Sequence, residues 1–319
     1  MDEIEILLQD SESGIIYDLS SATESGVTIE SHRMNGASKA SLSYVDDQLM
    51  ISNGSILRIV YNGTGIFYGY VFKSTTKSPG IPGVVAYDQL RYFKNKDTFI
   101  MKNHTASDLI RHICSRFGLV IGEIANTEFI LPNKIYDNKS LLDMSYESIR
   151  DTLVGTGKMY ILYDDFGRVS LSDADKLRVP IIVGDGSLAT GFDYEKSIDE
   201  ETYNKIKLYQ DNKDTKTREY YITQDSNNIS KWGVLQYHEK VDESMNLSQI
   251  ANKGKDLLKL YNREKKRLSI PAIGDIRVRG GSGVIVDIQQ IGVKQWCLVN
   301  KVTHQFKKGI HTMNLEVEL

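Results

Sequence analysis

Cysteine is nearly missing from this chain: 319 residues contain two, Cys114 and Cys297. They lie far apart, each inside an apolar pattern. That excludes the disulfide framework of small secreted domains and predicts buried free thiols in a reducing compartment. Long apolar runs are missing too. No segment approaches the roughly 20 apolar residues that a membrane-spanning helix needs. The opening MDEIEILLQD is acidic where a secretory leader is basic, and it has no long apolar core, so no leader is expected. There is no excess of positive charge. The 39 Lys and Arg against 42 Asp and Glu leave a formal net charge of −3, and no basic field advertises nucleic acid or an anionic membrane. What is present is an ordinary globular balance, in a length that predicts two or three domains. Tyrosine, at 18, is frequent, which suits strands and interfaces.

Catalytic signatures are also lacking. No GxSxG, HExxH, CxxC or cysteine-protease pattern occurs. Asp165-Phe166-Gly167 spells the kinase metal triplet, but the glycine loop, strand lysine and catalytic loop are absent, and the triplet fits a hairpin turn. Gly184-Asp185-Gly186 with Ala189 mimics a dinucleotide fingerprint after the strand Ile181 to Val183. Phe192-Asp193-Tyr194 and more strand follow, not the helix whose N-terminus would hold a pyrophosphate. The paired carboxylates Asp164-Asp165 and Glu200-Glu201 sit in polar turns and read as solvated surface. A cell-wall hydrolase needs an acid of raised pKa in an apolar cleft. His304 and His311 could face each other across a hairpin and are the metal candidates; no third ligand is visible, and a structural pair is the expected reading. No cofactor and no enzymatic activity are predicted.

Residues 4 to 94 read as β throughout. Ile4, Ile6 and Leu8 alternate, as do Val27 and Ile29, then Ala40, Leu42 and Tyr44. Asn62-Gly63 is a hairpin turn between Ile56 to Tyr61 and Ile66 to Phe72, with Gly69 at a bulge or close approach. Pro79-Gly80 and Pro82-Gly83 mark a loop before Val84 to Tyr87. The period changes at Thr105. Ala106, Leu109, Ile110, Ile113, Cys114 and Phe117 have helical spacing, with Thr105 and Asp108 as a capping box and Gly118 at C′. A second helix, Ser140 to Val154, ends at Gly155. Met159 to Tyr163 and Arg168 to Leu171 form a hairpin. After Pro180 the chain is β again: Tyr203 to Tyr209, a turn at Asp211 to Asp214, Glu219 to Thr223 and Trp232 to Tyr237. One helix follows, with Leu247, Ile250, Ala251, Gly254, Leu257, Leu258 and Tyr261 in a stripe and Lys265-Lys266-Arg267 near its end. Val284 to Ile288 is the next strand.

The close, Trp296 to Leu319, reads as a hairpin. Leu298, Val302 and Phe306 share one face. Met313, Leu315, Val317 and Leu319 alternate with polar residues. Keeping both sets on one side predicts His304 opposite His311, Val302 opposite Met313 and Leu298 opposite Val317, around a four-residue loop from Phe306 to Gly309. A weak internal echo links Gly54-Ser55, Ile56 to Val60 and Phe67 to Phe72 with Gly281-Ser282, Val284 to Ile288 and the strand begun by Trp296.

Val302-Thr303-His304 followed by Gly309-Ile310-His311-Thr312-Met313-Asn314-Leu315 resembles the close of XkdQ/YqbQ-type prophage tail proteins. The stretch from Ser140 to Asp173 resembles the same family, which is similar to late-control D proteins and to baseplate hubs of contractile-tailed phages. The resemblance implies a mainly β chain with an α+β insert. Two small tube-like β-barrel domains, 1–95 and 180–319, would flank a helix-containing domain, 96–179, with one helix inserted in the second barrel at about 246–264. It implies a structural baseplate hub of a contractile phage tail or tail-like bacteriocin: a homotrimeric ring joining a six-fold tail tube to a three-fold spike. The alternative is a tail-associated cell-wall hydrolase or peptidase. Implied partners are further copies of the chain, the tail tube protein, the central spike, tape-measure or LysM-type tail proteins and the baseplate wedge. No membrane is implied, and DNA at most passes through the lumen. The implied location is the baseplate of a particle assembled in the bacterial cytoplasm. Sheet edges are the natural joining surfaces, and the interface candidates are Phe67, Tyr68, Tyr70 and Phe72 on one strand and Leu315 and Val317 on the last.

Overall fold

The computed structural model of the protein describes residues 3–319 except 24–25, 35, 46–48, 77–80, 213–216 and 242–244. Pro79-Gly80 and the Lys213-Asp214 part of the expected turn lie outside the described residues. The fold is mainly β, 48% strand against 21% helix, so strand pairing carries the architecture. No helix among the described residues is long and apolar enough to cross a membrane. The chain forms two compact units, residues 1–193 with 269–318, and residues 194–268. The boundaries expected at 95/96 and 179/180 both fall inside the first unit.

Alternation builds the first unit's main sheet. Its strands lie in the spatial order Asp193–Ser197, Lys265–Ile273, Ile310–Glu318, Val293–Lys307, Val27–His32, Lys39–Ser43, Gly83–Tyr87, Thr64–Thr75, Ile56–Tyr61, Ile4–Gln9 and Ile16–Asp18. Gly283–Ile288 branches off Val293–Lys307, and Arg178–Gly184 joins it in parallel. The C-terminal hairpin therefore continues the sheet begun by the N-terminal strands, with His304 opposite Ile29 and Phe306 opposite Val27. Ile6, Leu8, Val27, Ile29, Leu57, Ile59, Phe67 and Val71 fill one core with Phe306. Burying such apolar faces is the main source of stability. Asn62 and Gly63 take φ of 48° and 76°, the left-handed pair that a tight hairpin needs. Gly69 is a close approach: a Cβ there would lie 2.4 Å from the Tyr87 carbonyl oxygen.

Helix α1 (Ala106–Arg116) carries the expected capping box, with the Asp108 amide donating to Thr105 Oγ1 and the Thr105 amide to Asp108 Oδ2. Its buried face, Leu109, Ile110, Ile113 and Cys114, packs with Leu141, Met144 and Ile149 of α2 (Leu141–Thr156) in a second core. Helix α2 runs past the expected terminator. Gly155 stays inside the helix, and the residue there is glycine because Phe129 leaves no room for a side chain, its ring standing 2.2 Å from where a Cβ would be. The left-handed cap is Gly157, φ 74°.

The last hairpin departs from its expected register by two residues. His304 faces Met313, Val302 faces Leu315, Phe306 faces His311, and the loop is the two residues Lys308 and Gly309 at φ of 52° and 73°. Lysine thus takes a conformation it disfavours, which makes the shorter turn hard to foresee. A register shift between Val299 and Lys301 reverses the alternation. Cys297 and Val299 are buried before it, Val302, His304 and Phe306 after it, and Leu298 is off the core face.

In the second unit, Lys205–Asn212 lies between Thr217–Gln224 and Gln236–Lys240. One face is covered by α4 (Leu247–Tyr261) around Ile206, Leu208, Val241 and Ile250. Trp232 ends a short helix, α3 (Ser226–Trp232), which Asp225 caps, so the strand expected from Trp232 starts at Gln236. Lys265-Lys266-Arg267 are not a helix terminus. They open a strand, with Arg267 paired to Glu200 at 2.7 Å. In the first unit, a backbone bridge between Ala189 and Ala272, with the Thr190 amide donating to the Pro271 carbonyl at 2.8 Å, brings the two crossings of the chain side by side.

Candidate functional site

The Asp165-Phe166-Gly167 turn performs a docking task. Tyr160–Asp164 and Val169–Asp173 pair as a hairpin whose tip holds Phe166 and Gly167 at φ of 48° and 84°. The tip rests on the strand Thr64–Thr75. Phe166 occupies the space over Gly65, where a Cβ would come within 2.6 Å of the ring, and stands edge-on to Tyr68. Gln89 reads the tip from below. Its amide nitrogen donates to the Gly167 carbonyl and its Oε1 accepts from the Val120 amide at 2.9 Å. Arg279 closes the other side, donating to the Asp164 carbonyl at 2.9 Å and stacking 4.2 Å from the Tyr163 ring centre.

Two buried carboxylates flank Gln89. Asp88 accepts from the Ser38 amide at 2.8 Å and the Leu90 amide at 2.9 Å. Asp164 accepts from the Gly167 amide at 2.6 Å and the Gln89 amide at 3.4 Å. Burial, then the charge of Asp164, pushes Asp88 up to about 7, and burial also raises Asp164. Both line a cavity of about 600 Å³ with Asp275, Arg277, Arg279 and His304. Arg277 is held in a fork by Asp275, with Nη2–Oδ2 at 2.6 Å. The oxygens of Asp88 and Asp164 are spent on backbone amides, so this chemistry fixes turns.

His304 and His311 do meet, on a diagonal rather than face to face. His304 Nε2 lies 2.8 Å from the Val278 carbonyl. A carbonyl only accepts, so Nε2 carries the proton, and Nδ1 accepts from His311 Nε2 at 3.0 Å. Burial holds His304 below the usual histidine range. His311 stacks on Phe306 at 4.1 Å and covers Gly274. Among the described residues no group of three or more His, Cys, Asp or Glu could hold a metal. The Glu200 and Glu201 pair lies on the surface, bound to Arg267 and Lys265.

The interface candidates need correcting. Phe67, Leu315 and Val317 are core residues. Tyr68 packs on Phe166, while Tyr70 and Phe72 pack on Tyr92. Thr64–Thr75 pairs on both sides, and Ile310–Glu318 lies between Val293–Lys307 and Lys265–Ile273. Neither strand is an edge, so neither has a free row of backbone groups.

A family model described as YQBQ-like matches residues 27–318. The chain belongs to the YqbQ-like family. YqbQ of Bacillus subtilis strain 168 is 33% identical over 271 residues, covering 84% of this chain and 82% of its own. The phage-like element PBSX protein XkdQ of the same strain is 30% identical over 300 residues, 91% of each chain. The 43 kDa tail protein of prophage MuSo2 from Shewanella oneidensis has the same fold, with a TM-score of 0.71 at 13% identity over 98% of both chains. Both stretches that carry the resemblance in this YqbQ-like sequence, 140–173 and 302–315, lie inside the matched region. Gln89, Asp88 and Arg279 escaped the sequence reading. Their partners lie far along the chain, and only the Tyr-Asp-Gln step after a strand hinted at a cap.

Proposed function

We propose that this YqbQ-like protein is a structural hub of a contractile phage tail or tail-like particle, a homotrimeric ring between a six-fold tube and a three-fold spike. The observation that carries the reading is likeness along the whole chain to a prophage tail protein, 98% of both chains at a TM-score of 0.71. The PBSX relative adds sequence support over 91% of each chain. In this reading the β segments 1–95 and 180–319 supply the two ring-forming parts, with 96–179 between them. Three copies then offer six similar positions, which resolves a symmetry mismatch without a new fold. Tube, spike, tape-measure or LysM-type proteins and wedge are its neighbours, and the particle assembles in the bacterial cytoplasm. The role is non-enzymatic, and purified protein is expected to leave peptidoglycan and peptides intact. A map of the assembled particle is the test. Three copies on the axis are expected; six copies, or copies off the axis, overturn the reading.

A further inference from the structure

The three-stranded sheet of the second unit sorts its side chains by face. Ile206 and Leu208 lie under α4, and the acidic residues go with them. Tyr221 donates to Glu219, and Glu239 receives Tyr237 and the α4 lysine Lys253, each at 2.8 Å. Among the described residues the opposite face carries no helix. There the register sets Tyr209 beside Tyr220, and Lys207 between Ile222 and His238. Tyr220 is 50% and Ile222 54% exposed.

Rings and cations interleave on this face. The Arg218 guanidinium lies 4.3 Å from the Tyr209 ring centre and the Lys207 ammonium 4.1 Å from that of Tyr220. His238 lies parallel to Tyr220 within 30° and 4.9 Å from Tyr209. Asp211 is the one carboxylate on this face among the described residues, and Arg218 and Lys240 hold it at 2.8 and 2.9 Å. The face is therefore cationic, which favours an anionic occupant.

We propose that this face binds single-stranded DNA. Stacked rings accept unpaired bases, and cations in the same rows take the phosphates. A duplex hides its bases. The carboxylates of an acidic protein segment would meet the cations and leave the rings without stacking partners, whereas a nucleic acid brings a base with each phosphate. Asp211 is committed to Arg218 and Lys240, so it is not available to select a ribose 2′-hydroxyl. The whole-chain charge of −3 conceals this patch because it averages over both faces and both units.

The experiment is fluorescence anisotropy of labelled dT15 with the full-length chain across a salt series. Saturable, salt-sensitive binding is expected. Y220A should weaken it by about 5- to 150-fold. K207Q should lower the slope of log affinity against log salt by about 0.7. Y221F, on the helix side, should change nothing. Absence of binding at low salt overturns the proposal, as does full affinity in folded Y220A. Equal competition by poly-glutamate would assign the face to an acidic protein. An rU15 affinity tenfold above that of dT15 would assign it to RNA. All of these readouts use the isolated chain and stand apart from the particle map.

Discussion

Gln89 shows how much one buried amide can hold. It bonds the hairpin tip and the Val120 amide at once, and the bond to the Gly167 carbonyl is buried away from water. Replacing it by leucine leaves a donor and an acceptor unpaired and should cost about 2–3 kcal/mol, read as a lower urea midpoint at unchanged m. The titratable groups nearby act in opposite senses. His304 is held below its ordinary range, so its contribution is present above about 6.5 and is lost as pH falls, when the unfolded chain takes up the proton. Asp88 is raised from 3.8 to about 7, so its contribution is present below about 4 and is lost as pH rises towards 7. D88N should therefore lose stability more steeply on acidification than the parent, and H304Q less steeply. Parallel curves for all three in urea melts from pH 4 to 8 would rule this out. The pairing of His304 with His311 was legible beforehand; the contacts of Gln89 and Asp88 were not. Asp164 read as a solvated turn residue because the sequence shows its neighbours in the chain, not Gln89 lying beneath it.

Strands and helices were far more legible than their junctions. Alternation located Ile4–Gln9, Ile56–Tyr61 and Gly83–Tyr87, because a period of two survives wherever one face is buried. The α1 cap was readable because both of its partners lie within four residues. What failed depended on a single residue or on distant packing. The shift at Asn300 reverses the faces of one strand, Gly155 makes room for Phe129 rather than ending α2, and Lys308 accepts a left-handed turn that its side chain does not favour. That last feature is correctable. K308N places the preferred Asn-Gly pair in the turn and should raise stability by about 0.5–1 kcal/mol, seen as a higher melting temperature. An unchanged or lower melting temperature would mean that Lys308 has compensating contacts.

At the scale of the whole chain, the family and the mainly β class were readable, while the division into units was not. Composition does not change at Tyr194 or Leu268, and the helix expected near 246–264 gave no sign that the segment around it has a core of its own. Replacing residues 198–264 with a short Gly/Ser linker, which spares the main-sheet strands Asp193–Ser197 and Lys265–Ile273, should leave the rest of the molecule with a cooperative melt and intact near-UV dichroism. A molten remainder, with secondary structure but no near-UV signal, would contradict this. The bridge at Ala189 and Ala272 gives that prediction its reach. Because the chain departs and returns side by side there, the part of the segment that lies outside the main sheet, residues 198–264, is free to change in length and sequence. The position is a socket. Relatives could diversify there first, and an engineer could seat a foreign domain, an affinity tag or a fluorescent reporter between residues 198 and 264.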